Sequence, residues 1–125
     1  MIDHVSIGVR DLDAATHAYE RILAPLGLGL LVRRERAVGF GKRYPEFWLN
    51  QREALTAKWP DTGWHVCLRA PDDAAVRDFH AAALAAGYGD GGAPGPRQGQ
   101  ATRYFAAFID DHDGNRIEAA SFPRT

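Results

Sequence analysis

The sequence has little of what marks several specialised classes of protein. Its one cysteine, Cys67, cannot form a disulfide within the chain, which fits a reducing compartment. Fifteen basic and sixteen acidic side chains leave a formal net charge of −1, without the excess that nucleic-acid or membrane-surface binding would need. No apolar run approaches the roughly 20 residues of a membrane helix, and the start Met-Ile-Asp-His lacks the basic and apolar regions of a signal peptide. We therefore expect a cytoplasmic protein that binds neither nucleic acid nor membranes.

What is present is an ordinary globular composition and an internal repeat. The 125 residues are 46% hydrophobic and 25% charged, which predicts one domain over residues 1–125. The segment His4-Val5-Ser6-Ile7-Gly8-Val9-Arg10-Asp11 is echoed 61 positions later by His65-Val66-Cys67-Leu68-Arg69-Ala70-Pro71-Asp72. An offset of about half the chain indicates a duplicated unit. We place the first module in residues 1–58 and the second in residues 63–125.

Each module is expected to begin with a strand and a helix. Apolar residues alternate with polar or small ones over residues 2–9 and 66–70, as in a strand with one buried face. Helical spacing of apolar residues follows in both modules. Both helices have an acidic N-cap candidate and a glycine after their end, namely Asp11 or Asp13 with Gly27, and Asp72 or Asp73 with Gly87.

Short strands complete each module. We expect them at residues 28–35, 37–40 and 47–50, and again at 102–110 and 116–122, with a turn between the last two. Residues 89–99 hold five glycines and two prolines and are interpreted as a surface loop. The pattern predicts an α+β fold of two repeated βαβββ modules. Their curved mixed sheets carry a helix on one face, and the other faces form a cleft.

Three side chains that suit a metal ion fall on the faces predicted to line that cleft. His4 and His65 begin equivalent strands, and Glu118 lies on the polar side of the last strand. Two imidazoles and one carboxylate offer three ligands to a divalent ion such as Fe, Ni, Zn or Mn and leave positions open for a substrate. The other histidines, His17, His80 and His112, are expected on the solvated surface.

The repeat, the two histidines and the ending Asp113-Gly114-Asn115-Arg116-Ile117-Glu118 resemble the vicinal oxygen chelate superfamily. This superfamily includes glyoxalase I, extradiol dioxygenases, epimerases, fosfomycin-resistance enzymes and bleomycin-binding proteins. The resemblance implies paired βαβββ modules with metal ligands on their first and last strands, which carries over to His4, His65 and Glu118. It also implies a homodimer, and leaves open whether His4 meets His65 of its own chain or of a second copy.

The fourth ligand position of the glyoxalases has two candidates in this sequence. The alignment puts Trp48 there, and a shift of two residues puts Glu46 there on the same face. With Trp48 the ligand set looks more like the two-histidine, one-carboxylate triad of extradiol dioxygenases. The departure from the glyoxalase pattern counts against glyoxalase I activity.

Two functions remain as hypotheses. The first is a metal-dependent lyase, isomerase or dioxygenase whose small substrate chelates the ion through two neighbouring oxygens, with Glu118 and Glu46 as the catalytic candidates. The second is a metal-free binding protein whose aromatic residues hold a planar or cationic molecule such as an antibiotic. The candidate substrate-binding residues are Trp48, Arg69, Arg103 and Tyr104.

Overall fold

The computed structural model describes residues 1–99 and 101–123. Over these residues the chain forms eight strands and two α-helices, and a single 3-10 turn, Ala24–Leu26, extends the first helix. The first half contains β1 (Val5–Val9), α1 (Leu12–Leu23), β2 (Gly29–Arg33), β3 (Ala37–Gly41) and β4 (Phe47–Gln51). The second half contains β5 (Val66–Arg69), α2 (Asp73–Ala85), β6 (Gly89–Gln98), β7 (Arg103–Asp110) and β8 (Arg116–Ser121).

The strands form two sheets with the same topology. Sheet 1 has the order β1-β4-β3-β2 and sheet 2 the order β5-β8-β7-β6. In each sheet the first strand pairs in parallel with the last, and the other pairings are antiparallel. The predicted α+β fold of two βαβββ modules is therefore confirmed.

The helices begin and end as the repeat indicates. The Asp11 carboxylate accepts a hydrogen bond from the backbone N–H of Ala14 at 3.1 Å, and Asp72 accepts one from Ala75 at 2.8 Å. Of the paired N-cap candidates, the chain thus uses the first in both modules. Gly27 and Gly87 follow the two helical segments with φ of 81° and 85°, a conformation that glycine adopts without strain.

The core lies between the helices and one face of each sheet. Alternate strand residues point toward α1 or α2, and α1 packs against α2, so the two modules share one apolar cluster. Its largest fully buried side chains are Tyr19, Phe40, Phe47 and Phe79. The opposite faces of both sheets carry no helix, and we call them open face 1 and open face 2. In the part of the chain that is described, no helix is both long enough and apolar enough to cross a membrane.

One predicted loop is a strand. Gly89–Gln98 forms β6, which pairs with β7 at the edge of sheet 2, with register shifts at Gly92. Prolines are tolerated there because an edge strand has one row of backbone groups without a neighbour. Glycine is needed for close approach, since a Cβ at Gly91 would lie 3.1 Å from a carboxylate oxygen of Asp110.

The position of His80 also differs from the prediction. Its side chain is buried on α2, and Nε2 lies 3.0 Å from Oδ1 of Asp90 in β6. The surface prediction followed from the interpretation of residues 89–99 as a loop. Because this segment is a strand that packs against α2, it covers a helix face that would otherwise be solvated.

The turn between β7 and β8 joins the modules. Asp113 accepts hydrogen bonds from the backbone N–H and from Nε of Arg10, at 3.1 and 2.6 Å. Asn115 donates from Nδ2 to the carbonyl oxygen of Gly8 at 2.9 Å. The Asp-Gly-Asn part of the ending motif therefore fixes the second module against the start of the first.

Candidate functional site

Open face 2 holds a histidine and a buried carboxylate in direct contact. His65 precedes β5, and Glu118 lies on β8 beside Cys67 and Phe108 in the strand register. Nε2 of His65 is 3.0 Å from Oε1 of Glu118. The residue Glu118 is only 4% exposed, and the His65 ring packs edge-on against Phe108 with ring centroids 5.3 Å apart.

The second oxygen of Glu118 has no partner. Among the described residues, Oε2 is buried and accepts no hydrogen bond. Arg116, two residues earlier on the same strand face, donates from Nε and Nη2 to Asp110 at 2.8 and 3.1 Å. A buried acceptor without a donor costs folding free energy, so such groups are rare and call for an explanation. A cation bound between Glu118 and His65 would supply the missing partner, and both residues therefore fit a metal ion.

Cys67 lies beside this carboxylate on the same face. Partial burial, the negative charge of Glu118 and a hydrogen bond from the thiol to that carboxylate raise the pKa of the thiol to about 12. The thiol therefore stays protonated at neutral pH. A protonated thiol is a poor nucleophile.

Open face 1 holds His4, which lies next to an acidic neighbour. Its Nδ1 is 2.7 Å from Oδ1 of Asp3, and the Tyr44 hydroxyl donates to the same oxygen at 2.9 Å. These bonds, the one from His4 first, lower the pKa of Asp3. An imidazole whose Nδ1–H is held by a carboxylate presents a free Nε2, which is the usual arrangement of a metal-binding histidine.

Trp48 lies on open face 1 as predicted. The register places it beside Ser6 of β1 and Gly39 of β3. A Cβ at position 39 would lie 3.1 Å from atoms of the indole, so glycine allows the ring to lie against the sheet. The guanidinium of Arg34 lies over the ring, 5.2 Å from its centroid. A cavity of about 280 Å³ on this face is lined by Trp48, Arg34, His4, Ser6, Ala37, Tyr44, Pro45 and Asn50.

One chain brings together two of the three predicted ligands. His65 and Glu118 are in contact, whereas His4 lines a cavity formed by the first module alone. Over residues 1–99 and 101–123, no group of three His, Cys, Asp or Glu side chains is placed to hold a metal ion. The two modules carry their ligands on separate sheets, so the expected convergence does not occur within the described part of one chain.

The remaining candidates occupy other places. Glu46 lines a cavity of about 240 Å³ between the modules, together with Lys42 and Arg69. The Arg69 guanidinium also lies over the Phe122 ring at 4.6 Å, and Tyr104 stacks on the same ring at 5.2 Å. Arg103 is next to Tyr104 in β7 and thus points to the opposite, helix-bearing side.

Two residues of open face 1 were not identified from the sequence. Asp3 directly precedes His4, and an acidic neighbour of a candidate ligand is a signal that could have been read. Arg34 gives no such signal, because it is one of three arginines in the charged segment Arg33-Arg34-Glu35-Arg36, which runs from the end of β2 toward β3. Only the tertiary structure places it over Trp48.

Comparison with known proteins identifies the family of this chain. Residues 1–119 match the family model of the glyoxalase/bleomycin resistance protein/dioxygenase superfamily. The chain belongs to this superfamily. None of the curated proteins matches the sequence significantly.

Solved structures of this superfamily share the fold. A glyoxalase/bleomycin resistance protein from Albidiferax ferrireducens is 28% identical, with a TM-score of 0.82 over 95% of this chain and 97% of that one. A fosfomycin resistance protein from Listeria monocytogenes is 14% identical, with a TM-score of 0.70 over 98% and 93%. A lactoylglutathione lyase from Agrobacterium tumefaciens is 19% identical, with a TM-score of 0.64 over 97% and 92%. The last two likenesses concern the fold, because superfamily members carry different activities on it.

Proposed function

We propose that this superfamily member is a metal-dependent enzyme whose site is completed by a second copy of the chain. His65 and Glu118 of one copy and His4 of the other would hold a divalent ion. The observation that carries the proposal is the buried, unpartnered oxygen of Glu118 beside His65. An apolar residue would fill that place at a lower cost in folding free energy, so a carboxylate is expected only where it binds something.

The way in which the ligands are divided supports a homodimer. Open face 1 carries one histidine and open face 2 carries the other two donors, and the two lie on different sheets. Two copies related by a twofold axis can place open face 1 of each against open face 2 of the other, which forms two equal sites. Large exposed apolar residues are available for such an interface. They include Leu31 on open face 1, Trp59, which is 77% exposed, and Trp64, which is 58% exposed.

The proposed chemistry uses two neighbouring oxygens of a small substrate. When bound, a divalent ion would polarise these oxygens and stabilise the anion that forms on them. His65 and Glu118 would hold the ion, and Asp3 would keep Nδ1 of His4 occupied so that Nε2 is free. Trp48 on open face 1 and Tyr104 on open face 2 would form apolar walls around the substrate. Glu46 stays a candidate base, although in one chain it lines a different cavity from His4 and Trp48.

Metal content tests this proposal directly. Protein purified without added metal and then reloaded with Fe, Ni, Zn or Mn should hold about one ion per chain. His4→Ala, His65→Ala and Glu118→Gln should each lose the ion, while His17→Ala, which changes an exposed histidine on α1, should keep it. Failure of the wild-type protein to bind any of these ions at micromolar concentration would refute the metal-dependent function.

Mixing two inactive variants tests the shared site. If each site takes His4 from one copy and His65 from the other, a mixed dimer of His4→Ala and His65→Ala chains contains one intact site. Random exchange of equal amounts should then restore about a quarter of the wild-type metal capacity. A site within one chain would give no recovery, because every chain in the mixture would lack one ligand.

The second candidate function is metal-free binding of a small molecule. It is favoured by one observation, that among the described residues of a single chain no three such side chains are placed to hold a metal ion, while the first module alone forms an aromatic cavity on open face 1. In this case the dimer would form without metal, and Glu118→Gln, which lies outside the cavity on open face 1, would leave ligand binding unchanged. The metal titration above separates the two functions.

A further inference from the structure

The cavity on open face 1 contains polar groups that the protein itself does not use. Within the described residues, the side chains of Arg34, Ser6 and Asn50 form no hydrogen bond, although all three line this cavity. No acidic residue lines it. The Asp3 carboxylate is hydrogen-bonded to two of the lining residues, His4 and Tyr44. The cavity therefore offers hydrogen-bond donors and one permanent positive charge.

The charge is held in a defined place. The indole of Trp48 lies against Gly39, and the Arg34 guanidinium lies over the ring at 5.2 Å. A cation–π contact of this kind does not use the hydrogen-bonding capacity of the guanidinium, so its N–H groups stay available. No salt bridge to a carboxylate within residues 1–99 and 101–123 competes for those N–H groups. A planar group with two oxygens is the partner that such a guanidinium edge fits best.

We infer that Arg34, supported by Trp48, binds the carboxylate of a small substrate, with Asn50 and Ser6 as further hydrogen-bonding groups. A single permanent cation suits a monoanionic carboxylate better than a doubly charged phosphonate or phosphate. At about 280 Å³ the cavity is at the lower end of small-molecule sites, so the ligand is small. His4 lines the same cavity, which places the carboxylate next to the proposed metal. This inference names the substrate class and in that respect rests on the proposed function.

Binding to the metal-free protein tests the inference. Full-length protein treated with a chelator is titrated by calorimetry with benzoate and with benzamide, its uncharged analogue of the same shape. Because hydrogen bonds to a charged group are stronger than neutral ones, wild-type protein should bind benzoate about tenfold more tightly than benzamide. Arg34→Gln should remove this preference by weakening benzoate binding alone. Arg33→Gln, which removes the adjacent exposed arginine, should keep it.

A spectroscopic readout locates the ligand. The three tryptophans give three indole N–H signals by NMR, and Trp48→Phe identifies the one from Trp48. Benzoate should shift that signal in the wild-type protein and not in Arg34→Gln. Equal affinity for benzoate and benzamide in the millimolar range, or unchanged benzoate binding in Arg34→Gln, would overturn the inference.

Metal binding is measured separately on the same variants. Arg34→Gln should retain the wild-type metal content, because Arg34 is not a ligand. If the wild-type protein binds no metal yet still prefers benzoate through Arg34, the metal-dependent function fails and the carboxylate site stands. If the wild-type protein binds metal but does not prefer benzoate, the metal-dependent function stands and the carboxylate site fails.

Discussion

Glu118 shows how a single residue is kept at a cost to stability. It lies among Cys67, Phe108 and His65, where an apolar side chain would pack, and one of its oxygens has no partner in the described structure. Burial without a hydrogen bond costs about 1–3 kcal/mol for a polar group and more for a charged one. A site that is destabilising until it binds its ligand is typical of functional residues.

Glu118→Met should therefore make the metal-free protein more stable. Methionine has a similar volume and no polar group to leave unpaired, so we expect the free energy of unfolding to rise by about 1 kcal/mol or more. Urea unfolding in the presence of a chelator measures this. Glu20→Met, at an exposed position of α1, should change stability by less than about 0.5 kcal/mol. A loss of stability in Glu118→Met would show that the carboxylate is structural.

The turn between β7 and β8 shows at the level of an element how a motif can have two roles. The turn opens the ending motif Asp-Gly-Asn-Arg-Ile-Glu, which covers residues 113–118. The last residue of this motif, Glu118, is the proposed ligand, while its first three residues connect the modules. Gly114 has a φ of 84°, and the backbone of Lys58 lies where a side chain at this position would be. Lys58 also donates its N–H to the carbonyl oxygen of Asp113 at 3.1 Å. Glycine is thus required both by the turn and by the connection between modules.

Gly114→Ala should consequently destabilise the fold. An alanine must adopt a left-handed conformation and displace the Lys58 backbone, so we expect a loss of about 2 kcal/mol or more. Thermal unfolding followed by circular dichroism gives the comparison. Gly29→Ala is the matched control, because a Cβ at that position of β2 has open space around it. Similar melting temperatures for the two variants would contradict this account of the turn.

The same turn and α1 show at the level of the whole molecule how the modules depend on each other. Asp111 is buried, and it accepts hydrogen bonds from the hydroxyl of Tyr19 and from the side chain of Asn115, both at 2.9 Å. Burial raises the pKa of Asp111, although these bonds oppose the effect. Burial and the charge of Asp111 raise the pKa of Tyr19 well above its usual value near 10.

Tyr19→Phe should reveal this dependence through pH. At pH 7 it removes a donor from Asp111, and we expect a loss of about 1–2 kcal/mol. Above pH 10 the unfolded wild-type chain releases the Tyr19 proton and the folded chain keeps it. Wild-type stability therefore falls as pH rises, by up to about 1.4 kcal/mol per unit for this group. The variant lacks that proton, so its urea midpoint should fall less steeply between pH 10 and pH 11.

Tyr104→Phe is the control for this pH series. Its ring stacks on Phe122, and its hydroxyl forms no hydrogen bond within the described residues. It should retain the wild-type decline above pH 10. Parallel pH curves for Tyr19→Phe and the wild type would indicate that the hydroxyl of Tyr19 is not held by the folded state.

Local patterns in the sequence determined the repeat, both helices with their aspartate caps, most strands and the faces of Trp48 and Glu118, because strand alternation and capping depend on neighbouring residues. The same local patterns predicted a loop where the structure has β6. This edge strand passes close to Phe108 and Asp110 and therefore contains glycines, and the glycines and prolines that it contains are also typical of loops. The sequence placed His4, His65 and Glu118 together in one predicted cleft. Only the tertiary structure decided that His65 contacts Glu118 while His4 lies apart from both, and that Arg34 lies over Trp48. Such distances depend on how two sheets and two helices pack, and no spacing along the chain encodes them.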